Sequence, residues 1–139
     1  MSINIKVRGY HLDIYRHVNN GRYLEFLEEG RWDYFDRHRF IPLFESLQLA
    51  FVVANININY RRPAYVDEVI QVQTRLQRIG QKSGQMLQQV WLLNEAGETD
   101  ALIADATITF CLMDDATQRA VQIQGELRSI LETMLEEGL

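Results

Sequence analysis

Residues 20–37 read NGRYLEFLEEGRWDYFDR, and the spacing of their apolar side chains predicts one long helix. Tyr23, Phe26, Leu27, Gly30, Tyr34 and Phe35 recur at steps of three and four residues, which places them on one face. At ~1.5 Å of rise per residue such a helix is about 27 Å long. Asn19 or Asn20 can cap its start with a side-chain oxygen. With Asn19 as the cap, Val18 sits where a hydrophobic staple packs on Tyr23. Trp32 and Leu24 lie off the main stripe, so apolar groups cover much of the helix circumference. Protein is therefore expected on most sides of it.

Outward from this helix the pattern changes. Residues 3–9 alternate apolar and polar, as a strand does, and 10–19 are irregular and polar. A short second helix is expected over 42–49. In Ala54-Asn55-Ile56-Asn57-Ile58-Asn59-Tyr60 the period is two, with three asparagines on one face and Ile56, Ile58 and Tyr60 on the other. Pro63 ends that ladder. Further strands are expected over 69–76, 85–93 and 101–113, with a last short one at 119–123. Gly80 and Gly84 bracket one turn, and Asn94-Glu95-Ala96-Gly97 forms another. Residues 126–137 read as an amphipathic helix through Leu127, Ile130, Leu131 and Met134.

Short links between successive strands imply an antiparallel sheet. One long helix, apolar on several sides, must be covered by that sheet. The fold class is thus α+β, with five or six strands curled around one central helix. A single curled layer leaves two open edges, and edge-to-edge dimerisation would close them.

Composition narrows the function. A chain of 139 residues fits one domain, 1–139, and can bury roughly 70% of its unfolded surface. A lone cysteine, Cys111, cannot form an internal disulfide or a thiolate metal site. No apolar run reaches the ~18 residues that span a bilayer, and the alternating N-terminus does not resemble a signal peptide. A cytoplasmic location is expected. The net charge of −5 argues against nucleic acid as the main partner. Residues 61–82 nonetheless carry a local excess of three positive charges, through Arg61, Arg62, Arg75, Arg78 and Lys82 against Asp67 and Glu68. Such a patch suits either a small ligand with several phosphates or a solvated strand face.

Several chemistries lack their residues. There is no Gly-x-Ser-x-Gly elbow, since Ser83 lies in Gly80-Gln81-Lys82-Ser83-Gly84. No glycine-rich phosphate loop exists, and Cys111 reads as a small mid-strand residue. What remains is the loop before the long helix, where His11, Asp13 and His17 lie within seven residues. A helix N-terminus offers unpaired N–H groups and a partial positive charge. Those donors can hold a carbonyl oxygen as it gains charge. A carboxylate opposite can activate water or attack the carbonyl itself. On the residues alone, a plain complement to the helix dipole is the commoner role for an Asp in the place of Asp13, and catalysis the rarer. His17 equally fits a loop hydrogen bond. A metal site of His11, Asp13 and His17 is the weakest of these readings.

The same residues carry a resemblance. Tyr10-His11-Leu12-Asp13, His17-Val18-Asn19-Asn20, Tyr23-Leu24-Glu25-Phe26 and Glu28-Glu29-Gly30-Arg31 resemble the hotdog-fold thioesterases of the hydroxybenzoyl-CoA thioesterase type. The likeness continues through Asn55 to Pro63, Gly80 to Gly84, Asp105 to Phe110 and Glu126-Leu127-Arg128. It is nearest to a bacterial subgroup acting on long-chain acyl-CoA in fatty-acid breakdown.

This resemblance implies hydrolysis of acyl-CoA to a free acid and CoA, with no cofactor beyond the CoA of the substrate. It implies homodimers, often paired into homotetramers. The catalytic carboxylate carries onto Asp13 and the oxyanion donor onto the N–H of Asn20 or Gly21, with His17 beside them. Tyr23, Arg61, Arg62, Lys82 and Ser83 are the expected substrate-binding residues. Gly21 and Gly30 depart from the family, whose members more often carry alanine there. Two other readings stay open: a hotdog hydratase or dehydratase using His17, and a non-enzymatic acyl-CoA-binding dimer.

Overall fold

The computed structural model describes residues 1–137. Its elements run β1 (Ser2–Lys6), a short 3-10 turn (Gly9–His11), α1 (Asn20–Arg37), α2 (Phe40–Ser46), β2 (Leu49–Tyr60), β3 (Val69–Ile79), β4 (Ser83–Leu93), β5 (Thr99–Asp114) and α3 (Gly125–Glu137). The strands form one antiparallel sheet in the order β1-β3-β4-β5-β2. β1 pairs with β3 in the register Ser2 to Gln73 and Lys6 to Val69. This is the α+β hotdog fold, with α1 as its central helix. No helix among the described residues is long and apolar enough to cross a membrane.

Two compact units divide the chain. The first comprises Met1–Tyr34, Ile58–Thr74 and Gln88–Ala106. Its core holds Val7, Phe26, Leu27, Ile70, Val72, Val90 and Ile103, all buried. Here α1 meets the sheet at Gly30. A Cβ at that position would lie 2.7 Å from Val72 Cγ1, 2.9 Å from Thr74 Oγ1 and 3.0 Å from Gln88 Nε2. The missing side chain lets the backbones approach, and Gln88 uses the proximity. Its Nε2 donates to the Leu27 carbonyl (2.8 Å) and to Thr74 Oγ1 (2.9 Å), while its Oε1 accepts from Arg31 Nη1 (3.0 Å). The interior amide is thereby satisfied at both ends.

The second unit comprises Phe35–Asn57, Arg75–Leu87 and the chain from Thr107 onward. Its centre is aromatic. Phe35 packs on Phe51 and Phe40, Phe40 on Phe44, and Phe51 stacks on Phe110 at 4.6 Å between ring centroids. Gly84 admits Phe110, because a Cβ there would lie 2.5 Å from the ring.

Several expectations need correction. The second helix spans Phe40–Ser46, not 42–49. Gln48 takes a left-handed backbone (φ 56°) after it, and β2 begins at once at Leu49. The alternation of 54–60 therefore marks only the second half of β2. The short strand expected at 119–123 reduces to an isolated bridge between Met113 and Ala120, so the sheet has five strands among the described residues. Leu24 and Trp32 are 40% and 49% exposed, so that side of α1 is not covered by its own chain.

Candidate active site

The segment before α1 is a tight loop closed by its own backbone. Leu12 bridges Val18, and the Asp13 N–H donates to the His17 carbonyl (2.8 Å). Between them the Arg16 N–H donates to the Asp13 carbonyl (3.0 Å), with Arg16 in the left-handed region (φ 66°). The Asp13 carboxylate organises the turn: Oδ1 accepts from the N–H groups of Tyr15 (2.8 Å) and His17 (3.2 Å). Among the described residues Oδ2 takes no hydrogen bond. One oxygen holds the loop and the other is available for chemistry.

His11 anchors this loop from inside. It is 7% exposed, between Tyr10 and Phe26. Its Nδ1 accepts from the Arg8 N–H (2.9 Å), which assigns its proton to Nε2 in the neutral ring. Burial, then the charge of Arg22, lowers its pKa, with Glu25 opposing and Arg8 adding to the shift. His17 is half-buried, edge-on to Tyr65 at 5.2 Å.

The helix start is tied to the same loop. The Asn19 N–H donates to the His11 carbonyl (2.9 Å), and the Val18 N–H to the Ala64 carbonyl (2.9 Å). Asn19 is the cap: its Oδ1 accepts from the Gly21 N–H at 2.9 Å. That bond occupies one of the two expected oxyanion donors. Among the described residues the Asn20 N–H meets no acceptor, so it is the donor left open. The Asn20 carbonyl accepts from the Tyr60 hydroxyl (3.2 Å), which adds a third tie at this turn. Val18 and Tyr23 are both buried, as the staple requires.

The expected substrate-binding residues have different environments. Tyr23 is only 3% exposed, and its hydroxyl has no hydrogen-bonding partner among the described residues. Burial pushes its pKa up to about 12; the nearby Ala64 backbone opposes this, outside hydrogen-bonding geometry. Arg62 Nη1 is likewise buried without a hydrogen bond, 3.9 Å from Glu68 Oε2. Arg61 is committed elsewhere. Its Nε and Nη2 both reach Asp105 Oδ2 at 2.9 Å, and Asn59 Nδ2 donates to Oδ1 at 3.0 Å. Burial would raise the Asp105 pKa, but the bonds from Arg61 and Asn59 outweigh it and lower it. A guanidinium so paired is a poor phosphate anchor. Lys82 and Ser83 belong to the second unit, with Lys82 exposed and Ser83 half-buried at the turn into β4.

Sequence reasoning missed the Asp105 clamp and the role of Tyr60. Asn59 could have signalled the first, since it shares a strand face with Asn55 and Asn57. Nothing in the sequence points to Asp105 as its partner, 46 residues away.

The helix mouth thus offers one open N–H, and the loop that leads into it a carboxylate with one open oxygen, groups that acyl transfer to water could use. The comparisons agree with that class. The chain belongs to the thioesterase-like superfamily, whose family model matches residues 7–131. It is 49% identical over 136 residues to the long-chain acyl-CoA thioesterase FadM of Escherichia coli, covering 98% of this chain and 100% of that protein. Its structure is similar to the crystal structure of YbaW Probable Thioesterase from Escherichia coli, with TM-score 0.87 and 48% identity over 97% of this chain and 98% of that one. A thioesterase from Thermus thermophilus, complexed with coenzyme A and Zn, is similar at TM-score 0.79 and 25% identity, covering 97% and 93% of the two chains.

Proposed function

We propose that this chain hydrolyses long-chain fatty acyl-CoA to the free acid and CoA. The observation that carries the reading is a hydrogen-bonded loop in which, among the described residues, Asp13 Oδ2 takes no hydrogen bond and the Asn20 N–H of the helix it leads into is unclaimed. The thioester carbonyl oxygen accepts from the Asn20 N–H. Asp13 takes a proton from a water whose oxygen adds to the carbonyl carbon. Negative charge grows on the carbonyl oxygen and is met by the helix N-terminus. The carbon–sulfur bond then breaks, the electron pair leaves on sulfur, and the thiolate takes up the proton. Direct attack by Asp13 gives an anhydride and the same products after water opens it. The long-chain preference is supported by the 49% identical relative.

The active form is a homodimer in the cytoplasm, and needs no cofactor. β2 supports self-association: it is twelve residues long, lies at an open sheet edge, and exposes Val52 and Val53. Exposed Leu24 and Trp32 on α1 give a second apolar surface for the partner. Pairing of dimers into a tetramer is the next level of the same reading.

The test is release of free thiol from acyl-CoAs of graded chain length, with Asp13→Asn as the control. Turnover highest on long chains and lost in the variant supports the reading. Equal turnover in both proteins removes Asp13 from the chemistry. Loss of enoyl-CoA absorbance without thiol would indicate hydration instead.

A further inference from the structure

Tyr60, the last residue of β2, donates its hydroxyl to the Asn20 carbonyl at 3.2 Å, across 40 residues of chain. The bond meets no need of α1 itself. A helix start leaves its first N–H groups without partners, not its first carbonyls. The effect of the bond is on orientation. The peptide joining Asn20 to Gly21 is gripped at both ends, its oxygen by Tyr60 and its N–H by Asn19 Oδ1 (2.9 Å). The preceding peptide carries the open Asn20 N–H at one end. At its other end the Asn19 carbonyl accepts from the Arg22 N–H (2.9 Å). One peptide further back, the Asn19 N–H is fixed on the His11 carbonyl (2.9 Å). Peptides are planar, so holding these groups sets the direction of the Asn20 N–H between them. All of these ties except the Tyr60 bond are made within residues 11–22.

Tyr60 is 46% exposed, so water competes for its hydroxyl and the bond lasts only if the residue is held. The residues on either side of it close on one carboxylate. Asn59 Nδ2 donates to Asp105 Oδ1 (3.0 Å), and Arg61 Nε and Nη2 reach Asp105 Oδ2 (2.9 Å). The Arg61 and Arg62 N–H groups both donate to the Ile103 carbonyl, at 2.7 and 3.2 Å. Side chains alternate along a strand. With 59 and 61 turned to Asp105, the ring of Tyr60 is turned the other way, onto Tyr23 at 5.5 Å between centroids. All these residues belong to the first compact unit. The hydrolytic steps use none of them. Aim matters to an oxyanion donor, because a hydrogen bond weakens steeply below ~120°.

We infer that Tyr60 is a positioning residue that aims the Asn20 N–H at the thioester oxygen, and that the Asp105 clamp holds Tyr60 in place for it. The inference rests on the reading of the Asn20 N–H as the oxyanion donor.

The experiment is steady-state thiol release from palmitoyl-CoA by Tyr60→Phe, Asp105→Asn, the double variant and Asn20→Pro, with thermal melting and sedimentation of each. Tyr60→Phe keeps the ring and removes only the hydroxyl. It should lower kcat about tenfold, short of the about 10²–10³-fold of a deleted donor, and leave KM within about twofold, since the donor serves charge that develops in the transition state. Asp105→Asn should lower kcat in the same sense. Adding it to Tyr60→Phe should bring no further loss, because both act through one hydroxyl. Additive losses overturn the clamp's part. A dithioester of the same chain, whose carbonyl sulfur is a weak acceptor, gives a readout that damage to the fold does not move. Tyr60→Phe should lose much less turnover on it than on the thioester. Equal losses on the two substrates overturn the inference, as does unchanged kcat on the thioester or a loss that appears only with altered sedimentation. Asn20→Pro tests the underlying reading. Proline suits the first helical position and removes this one N–H while keeping the carbonyl that Tyr60 bonds. Full turnover in Asn20→Pro overturns the donor and the positioning role together. Lost turnover in Asn20→Pro with none lost in Tyr60→Phe overturns the positioning role alone.

Discussion

In the proposed reading Asp13 does two jobs with two oxygens, and substitutions separate them. Asparagine keeps an Oδ1 for the N–H groups of Tyr15 and His17 but has no basic oxygen. Asp13→Asn should therefore melt within a few degrees of the parent and lose about 10²-fold or more in kcat, the scale of a missing general base. Asp13→Ala should lose both turnover and the loop, seen as a lower melting temperature. His11 gives a pH dependence. Its folded-state pKa lies below the ordinary value of 6.5, mainly through burial. The unfolded chain then binds the proton more readily, so its stability contribution is complete above pH 6.5 and falls as pH drops through that value toward the lowered one. His11→Asn, which offers an acceptor near the place of Nδ1, should flatten the melting temperature across that window. Tyr23 makes the opposite case. Among the described residues its buried hydroxyl has no hydrogen-bonding partner, so Tyr23→Phe should leave stability unchanged or raise it by up to about 1 kcal/mol in urea titration.

At the scale of the element, α1 carries two glycines with different reasons. Gly30 is where the helix presses on β3 and β4, with no room for a methyl group. Alanine there gains about 1 kcal/mol in helix propensity. It must also displace Val72, Thr74 and Gln88, and overpacking of that kind costs about 1–3 kcal/mol, with the Gln88 bonds lost in addition. Gly30→Ala should therefore destabilise. Gly21 is exposed, and a Cβ there meets only Asn19 Oδ1 at 3.4 Å. Gly21→Ala should stabilise by a few tenths to about 1 kcal/mol. Paired denaturant titrations of the two variants check both signs. A helix pattern reports which face is apolar, but not how near the next layer lies.

For the whole molecule, the surfaces able to pair with a second copy lie at the sheet edges. Among the described residues β2 (Leu49–Tyr60) is an edge strand, with a sheet neighbour on one side only. If a second copy completes it, a proline at Val53 or a lysine in its place should shift the sedimentation coefficient toward that of a 16.3 kDa monomer. Turnover should fall with it, and thiol release measured on the same sample would show whether the two losses track each other.

The long helix, a cap at Asn19 or Asn20 and the alternating strands were legible in the sequence, because each is set by contacts within a few residues. Side-chain period decides which face is buried, and a carbonyl-type oxygen at Asn19 caps the next turn wherever the helix lies. Asp13 was legible as a candidate for the same reason, being close in sequence to the helix mouth. The choice between its two oxygens was not, since it depends on which backbone N–H groups the loop turns inward. Nor was the choice between Asn20 and Gly21, which follows from the cap occupying one of them. The commitment of Arg61 to Asp105, the close approach at Gly30 and the hold of Tyr60 on the Asn20 carbonyl all join residues from different strands and helices. Local spacing carries no information about such pairs; only the folded sheet brings them within bonding distance.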